Sequence, residues 1–147
     1  MKKMDIRTLT DKQAIAEAIT ACAEAFHDQT CNDPAKILGF AEKFPAKAYF
    51  LAAYDDDEVK GFAAFYCNNY ENMTAFISMI VVVSNYQYHG GTVLLSTVKD
   101  ICKKNGMKKI RLEVADDNHK ALSFYTKRNF VFEAAARKGT SFYVLSL

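Results

Sequence analysis

Apolar residues recur at the three- and four-residue spacing of a single helix face across residues 11–27, at Ile15, Ala18, Ile19, Cys22, Ala25 and Phe26. Thr10 or Asp11 can cap that helix. A second helix is expected from Asp33-Pro34, where a capping residue precedes proline at the first helical position. Ile37, Leu38, Ala41 and Phe44 form its stripe, and Pro45 stops it. The period then shortens. Residues 48–54 and 60–66 flank the polar run Asp55-Asp56-Asp57-Glu58 and read as a hairpin. Asn68-Asn69 begins another turn, and 75–83 is an apolar run ending in three valines, the pattern of a strand covered on both faces.

Helical spacing returns at 91–104, with Leu94, Leu95, Val98, Ile101 and Cys102 on one side. Lys103 and Lys104 suit its negative end, and Gly106 is the expected stop. Residues 109–114 read as a strand, 118–127 as a short helix, and 130–135 and 142–147 as two more strands. A short strand at 5–9 precedes the series. The order α-α-β-β-β-α-β-α-β-β predicts an α/β layered domain on a mixed sheet.

The chain has 147 residues, enough for one domain spanning 1–147 with a real core. A domain of about 150 residues removes roughly 70% of its unfolded surface from water. Net charge is only +2, which points to neither nucleic acid nor a membrane surface. The lysines at 99, 103, 104, 108 and 109 read as a solvated helix end. No segment approaches the roughly 20 apolar residues of a membrane helix. Cys22, Cys31, Cys67 and Cys102 form no Cys-x-x-Cys pair, and no His stands at ligand spacing, so no metal is expected. Free thiols and a cytoplasmic location are the matching expectation.

Candidate chemistry begins at the junction after the valine-rich strand, Gln87-Tyr88-His89-Gly90-Gly91-Thr92. Two glycines at a strand-to-helix turn would let the backbone approach a ligand, and the helix amides would favour an anion such as a phosphate. A plain turn is the alternative, and the Gly-Lys-Ser/Thr element of a nucleotide-triphosphate loop is missing. Downstream stands Asn118-His119-Lys120-Ala121-Leu122-Ser123-Phe124-Tyr125-Thr126-Lys127-Arg128-Asn129-Phe130.

Together these stretches resemble the GNAT family, the Gcn5-related N-acetyltransferases. Its cofactor motif is Gln/Arg-x-x-Gly-x-Gly/Ala, matched at Gln87 and Gly90, with Thr92 in place of the last Gly/Ala. Its second motif, Asn-x-x-Ala-x-x-Phe/Leu-Tyr-x-x-x-Gly-Phe, is matched except that Asn129 replaces the glycine. Asn is the second choice for the left-handed backbone needed there. The likeness covers about residues 46–135 and includes Gly61-Phe62.

The resemblance implies a mostly antiparallel six- to seven-stranded sheet with about four helices on both faces. It also implies direct transfer of an acetyl group from acetyl-CoA to a primary amine, that of a small molecule such as an amino sugar. A protein or peptide acceptor and a non-catalytic acyl-CoA sensor are the alternatives. By the same resemblance, amides from Tyr88 to Thr92, including His89, Gly90 and Gly91, hold the pyrophosphate. Backbone groups of Ile80 and Val82, on a bulged and splayed strand, together with Asn118, hold the pantetheine arm. Tyr125 is the general acid for the departing thiolate. From the residues themselves, Asn118 is equally a helix cap and Tyr125 a core aromatic. Glu113, out of phase with Leu112 and Val114, is a candidate base or an ion-paired residue, for instance with Arg111. Glu71 and Asp116 are weaker candidates, and His119 reads as solvent-facing. A monomer or homodimer is expected.

Overall fold

A computed structural model describes residues 4–25, 37, 41, 48–83 and 87–147. The side chains of Gln87 and Tyr88 lie outside that description, as does most of the helix expected from Asp33. Of that helix only Ile37 and Ala41 are described, and both are buried.

The first strand, β1 (Asp5–Thr8), leads to helix α1 (Lys12–Ala21). The Asp11 carboxylate caps α1 by accepting from the Ala14 amide at 2.9 Å. A single 3-10 turn at Ala23–Ala25 continues it, so the α-helix itself is shorter than the apolar stripe suggests. Strands β2 (Tyr49–Asp55) and β3 (Glu58–Asn69) form the expected hairpin. Asp56 and Asp57 sit at its tip with φ of 52° and 64°, the two positive values a type I′ turn requires.

β4 (Thr74–Val82) is followed by helix α2 (Gln87–Lys104), β5 (Lys109–Ala115), helix α3 (His119–Thr126), β6 (Val131–Ala135) and β7 (Thr140–Ser146). The seven strands form one sheet in the order β1-β2-β3-β4-β5-β7-β6. Only β4 and β5 are parallel, and α2 is the crossover that such a pair needs.

Alternation along the strands sorts side chains into two cores. Phe50, Ala52, Phe62 and Ala64 face α1, packing with Ile15, Ala18 and Ile19. Leu51, Ala53, Ala63 and Phe65 face the other way, into a cluster with Leu94, Leu95 and Val98 of α2 and Tyr125 of α3. The α1 core draws its strand residues from β2, β3 and β4, whereas the α2 core reaches β5 and β7 through Ile110, Leu112, Val114 and Leu145.

Both later helices end in the same way. Gly106 has φ 79°, with the Met107 amide bonded to the Cys102 carbonyl and the Gly106 amide to that of Lys103. Asn129 has φ 73°, with the Phe130 amide bonded to Tyr125 and the Asn129 amide to Thr126. These are paired 6→1 and 5→2 bonds of a Schellman cap. The apolar contact that accompanies such a cap is present too, as the Tyr125 and Phe130 rings lie 5.3 Å apart. Asn129 thus stands where the motif has glycine and adopts the conformation glycine would.

Candidate active site

β4 opens the sheet. Ala64 of β3 lies opposite Met79, but Phe65 lies opposite Ile77, so Ser78 has no partner and forms a bulge. The extra residue reverses the alternation. Ala75 and Ile77 face the α2 core before it, and Val82 faces the same core after it, with Ile80 packed against it, whereas Val81 turns toward α1. The parallel ladder to β5 runs from Thr74 opposite Lys109 to Ile77 opposite Leu112 and goes no further. Yet β4 continues to Val82 and β5 to Ala115. The two strands therefore part at the bulge. The Val83 amide donates to the Lys60 carbonyl of β3 at 2.9 Å. By strand alternation, the backbone groups of Ile80 and Val82 point the other way, into the opening.

α2 begins at Gln87, earlier than the residue 91 expected from the apolar stripe. Gly90 and Gly91 are thus inside the helix rather than in a turn before it. Their lack of a side chain serves packing: a Cβ on Gly90 would lie 2.8 Å from Val82 Cγ1, and one on Gly91 2.9 Å from Phe124 Cε1. In helical geometry the amides of Gly91 and Thr92 point back to the carbonyls of Gln87 and Tyr88. The amides without an intrahelical acceptor belong to the first turn, which contains the exposed His89 and no acidic side chain. Of the residues from Tyr88 to Thr92, Gly91 and Thr92 thus have amides with intrahelical acceptors, and Tyr88 and His89 do not.

Asn118 caps α3, its Oδ1 accepting from the Ala121 amide at 3.3 Å, which leaves the Nδ2 hydrogens outside the cap. Tyr125 is 8% exposed and packs edge-on to Phe124 and Phe130. Burial raises its phenol pKa, so Oη keeps its proton at neutral pH.

A family model described as Acetyltransferase (GNAT) family matches residues 12–130. The chain belongs to the GNAT family. Solved GNAT-fold structures superpose on nearly all of it. The PaiA N-acetyltransferase from Thermoplasma acidophilum, in complex with coenzyme A, matches with TM-score 0.77 and 20% identity over 99% of this chain and 100% of that one. The ribosomal-protein-S18-alanine N-acetyltransferase from Escherichia coli matches with TM-score 0.77 and 19% identity over 98% and 94%. The uncharacterized protein YxbD of Bacillus subtilis (strain 168) is 32% identical over 76 residues, 52% of this chain and 45% of YxbD. The matched stretch thus spans less than half of that relative's length. No helix among the described residues is long and apolar enough to cross a membrane.

The GNAT family is one of acetyltransferases that use acetyl-CoA. This chain's own residues fit such a group: a bulged strand with backbone groups turned into an opening, followed by a helix start lacking acidic side chains. Glu113 is ion-paired, one of the two alternatives its sequence position left open, but not with Arg111. Its partner is Arg137, whose Nε donates to Oε2 at 2.7 Å, and Thr140 Oγ1 lies 2.7 Å from the same oxygen. Arg111 pairs instead with Glu133 at 2.7 Å and stacks on Phe142. The Arg137 hydrogen bond, then that of Thr140, holds the Glu113 carboxyl below the usual carboxylate range, which weakens it as a proton acceptor.

Arg128 is the site residue that sequence reasoning missed. Its guanidinium donates to Thr92 Oγ1 at 2.7 Å and to the Phe124 carbonyl at 3.0 Å, and stacks on the Phe124 ring at 3.8 Å. A cation is thereby fixed beside the start of α2, and the departure from the motif at Thr92 is its anchor. The only signal in the sequence was the adjacency of Arg128 to Asn129 in the second motif.

Proposed function

We propose that this GNAT enzyme transfers an acetyl group directly from acetyl-CoA to the primary amine of a small molecule, with an amino sugar the first acceptor to test. The observation that carries this proposal is the opening of β4 at Ser78, where the Ile80 and Val82 backbone groups lack a β5 partner. An extended pantetheine arm can pair there as an added strand would. The first-turn amides of α2, with Arg128 beside them, suit the pyrophosphate. Asn118 Nδ2 is a further donor for the arm.

The bound thioester supplies an activated acyl carbon. The backbone amide after the bulge polarises its carbonyl, as an oxyanion donor does. Tyr125 Oη donates a proton to the leaving sulfur, a role that its protonated state permits. Glu113, held ionised by Arg137, acts as a base only through water. No nucleophilic cysteine is needed.

Thermal unfolding with acetyl-CoA is the first test. At ligand near 100 times Kd, linkage adds about 2.7 kcal/mol, a rise of roughly 5–10 °C in Tm for a domain of this size. Free-thiol release is then measured with amino sugars, other small amines and peptides with free N-termini. No Tm shift at millimolar acetyl-CoA would refute the cofactor site. Release with peptides alone would overturn the small-molecule acceptor, and a Tm shift with no acceptor at all would favour a sensor.

A further inference from the structure

We propose that Cys67 and Cys102 are an oxidation site, a thiol pair that a peroxide converts to a reversible disulfide. The two residues are 35 positions apart in sequence, on the exposed end of β3 and the last turns of α2, and the fold brings their Sγ atoms to 3.4 Å. Both are reduced and buried, Cys67 at 6% exposure and Cys102 at 0%. A disulfide needs a sulfur separation of about 2.05 Å, so the remaining approach is about 1.4 Å.

Cys67 is the first to react. It is the more exposed of the two, and it adjoins the exposed Asn68 and Asn69. The Cys102 thiol can donate to it, which lowers the Cys67 pKa and raises that of Cys102. Cys22 offers no competition. It lies in the α1 core on the other face of the sheet, and burial pushes its thiol up to about 12.

The Cys67 thiolate attacks one peroxide oxygen, the O–O bond breaks, and water leaves after one protonation, giving a sulfenic acid. Cys102 sulfur then attacks Cys67 sulfur; the S–O bond breaks, the S–S bond forms, and a second water leaves. Two thiols lose two electrons and two protons, and one peroxide becomes two waters. A small-molecule thiol reverses the step by exchange. The bridge would tie β3 to the end of α2 opposite Gly90, 12 residues or about 18 Å away. Stability should therefore respond more than acetyl transfer.

The test is titration of the full reduced chain with hydrogen peroxide, alkylation in denaturant, and peptide mapping without reductant. The expected product is a Cys67–Cys102 linked peptide lighter by about 2 Da, with Tm higher by about 5–10 °C and both changes undone by dithiothreitol. Recovery of both cysteines as alkylated thiols, accumulation of Cys67 sulfinic acid, or a bridge to Cys22 or Cys31 would overturn the proposal. Cys22→Ala should keep the bridge and Cys102→Ala should lose it. The mapping on the native sequence decides the matter even if a variant misfolds.

Discussion

Gly90→Ala separates two reasons for a glycine at the start of α2. An added methyl carbon would sit 2.8 Å from Val82 Cγ1, 3.5 Å from Met4 Sδ and 3.6 Å from Val82 Cγ2. Carbon atoms prefer about 3.5–4.0 Å, so the first contact must open by about 0.7 Å. Val82 is 7% exposed and β-branched, so it cannot swing aside cheaply. Overpacking of this kind costs about 1–3 kcal/mol, and the better helix propensity of Ala returns at most about 1. The net expectation is a loss of about 1–2 kcal/mol, seen as a fall in Tm of roughly 2–8 °C. Displacing Val82 also moves the backbone that faces the opening, so acetyl-CoA affinity should drop in calorimetry. Val82→Ala in the same background removes the obstructing methyl groups, and the two changes should couple by more than 0.5 kcal/mol as an order-of-magnitude threshold. Gly90→Asp is the poorer comparison. Its carboxylate would enter the same buried contact, so lost binding there would mix folding with charge. A native or raised Tm for Gly90→Ala, or strict additivity with Val82→Ala, would refute the packing account.

Tyr125→Phe keeps the ring contacts with Phe124 and Phe130 and removes only the hydroxyl. kcat should fall by about 10²-fold, with KM for acetyl-CoA nearly constant, in steady-state assays where chemistry limits turnover. Unchanged kcat would return Tyr125 to a packing role. Asn129→Gly relieves the positive φ of 73°, and calorimetric unfolding should show a Tm rise of about 1–2 °C, whereas Asn129→Ala should lower it by a few degrees. A fall with glycine would mean that the Asn side chain, not its backbone tolerance, supports the cap.

Local signals carried much of the fold. The alternation of Phe50, Leu51, Ala52 and Ala53 between two cores is the strand pattern of 48–54 realised. Asp11, Asn118, Gly106 and Asn129 cap helices where short-range chemistry put them. The bulge was implied by the family resemblance but illegible in the residues themselves, because the run from Phe76 to Val83 is nearly all apolar and offers no polar phase for an extra residue to interrupt. The early start of α2 was hidden because Gln87, Tyr88 and His89 add nothing to the apolar stripe. The pairs Thr92–Arg128, Glu113–Arg137 and Cys67–Cys102 are products of sheet register and helix docking between segments at least 24 residues apart. No local rule supplies them. The helix expected from Asp33 lies outside the described residues apart from Ile37 and Ala41.

Ser78 makes counting matter more than spelling in β4. Its side chain is exposed, and what it contributes is one unit of length between Ile77 and Met79. Removing it would restore parity to the strand. Ile80 and Val82 would keep the face they share with Ile77, now by plain alternation, and with no extra residue to part the strands the ladder to β5 would have no reason to stop. The composition of the strand would hardly change, yet the gap beside it would zip shut. Selection on this segment would therefore see its length before its letters, and a one-residue deletion there would be a graver event than most replacements of Ser78.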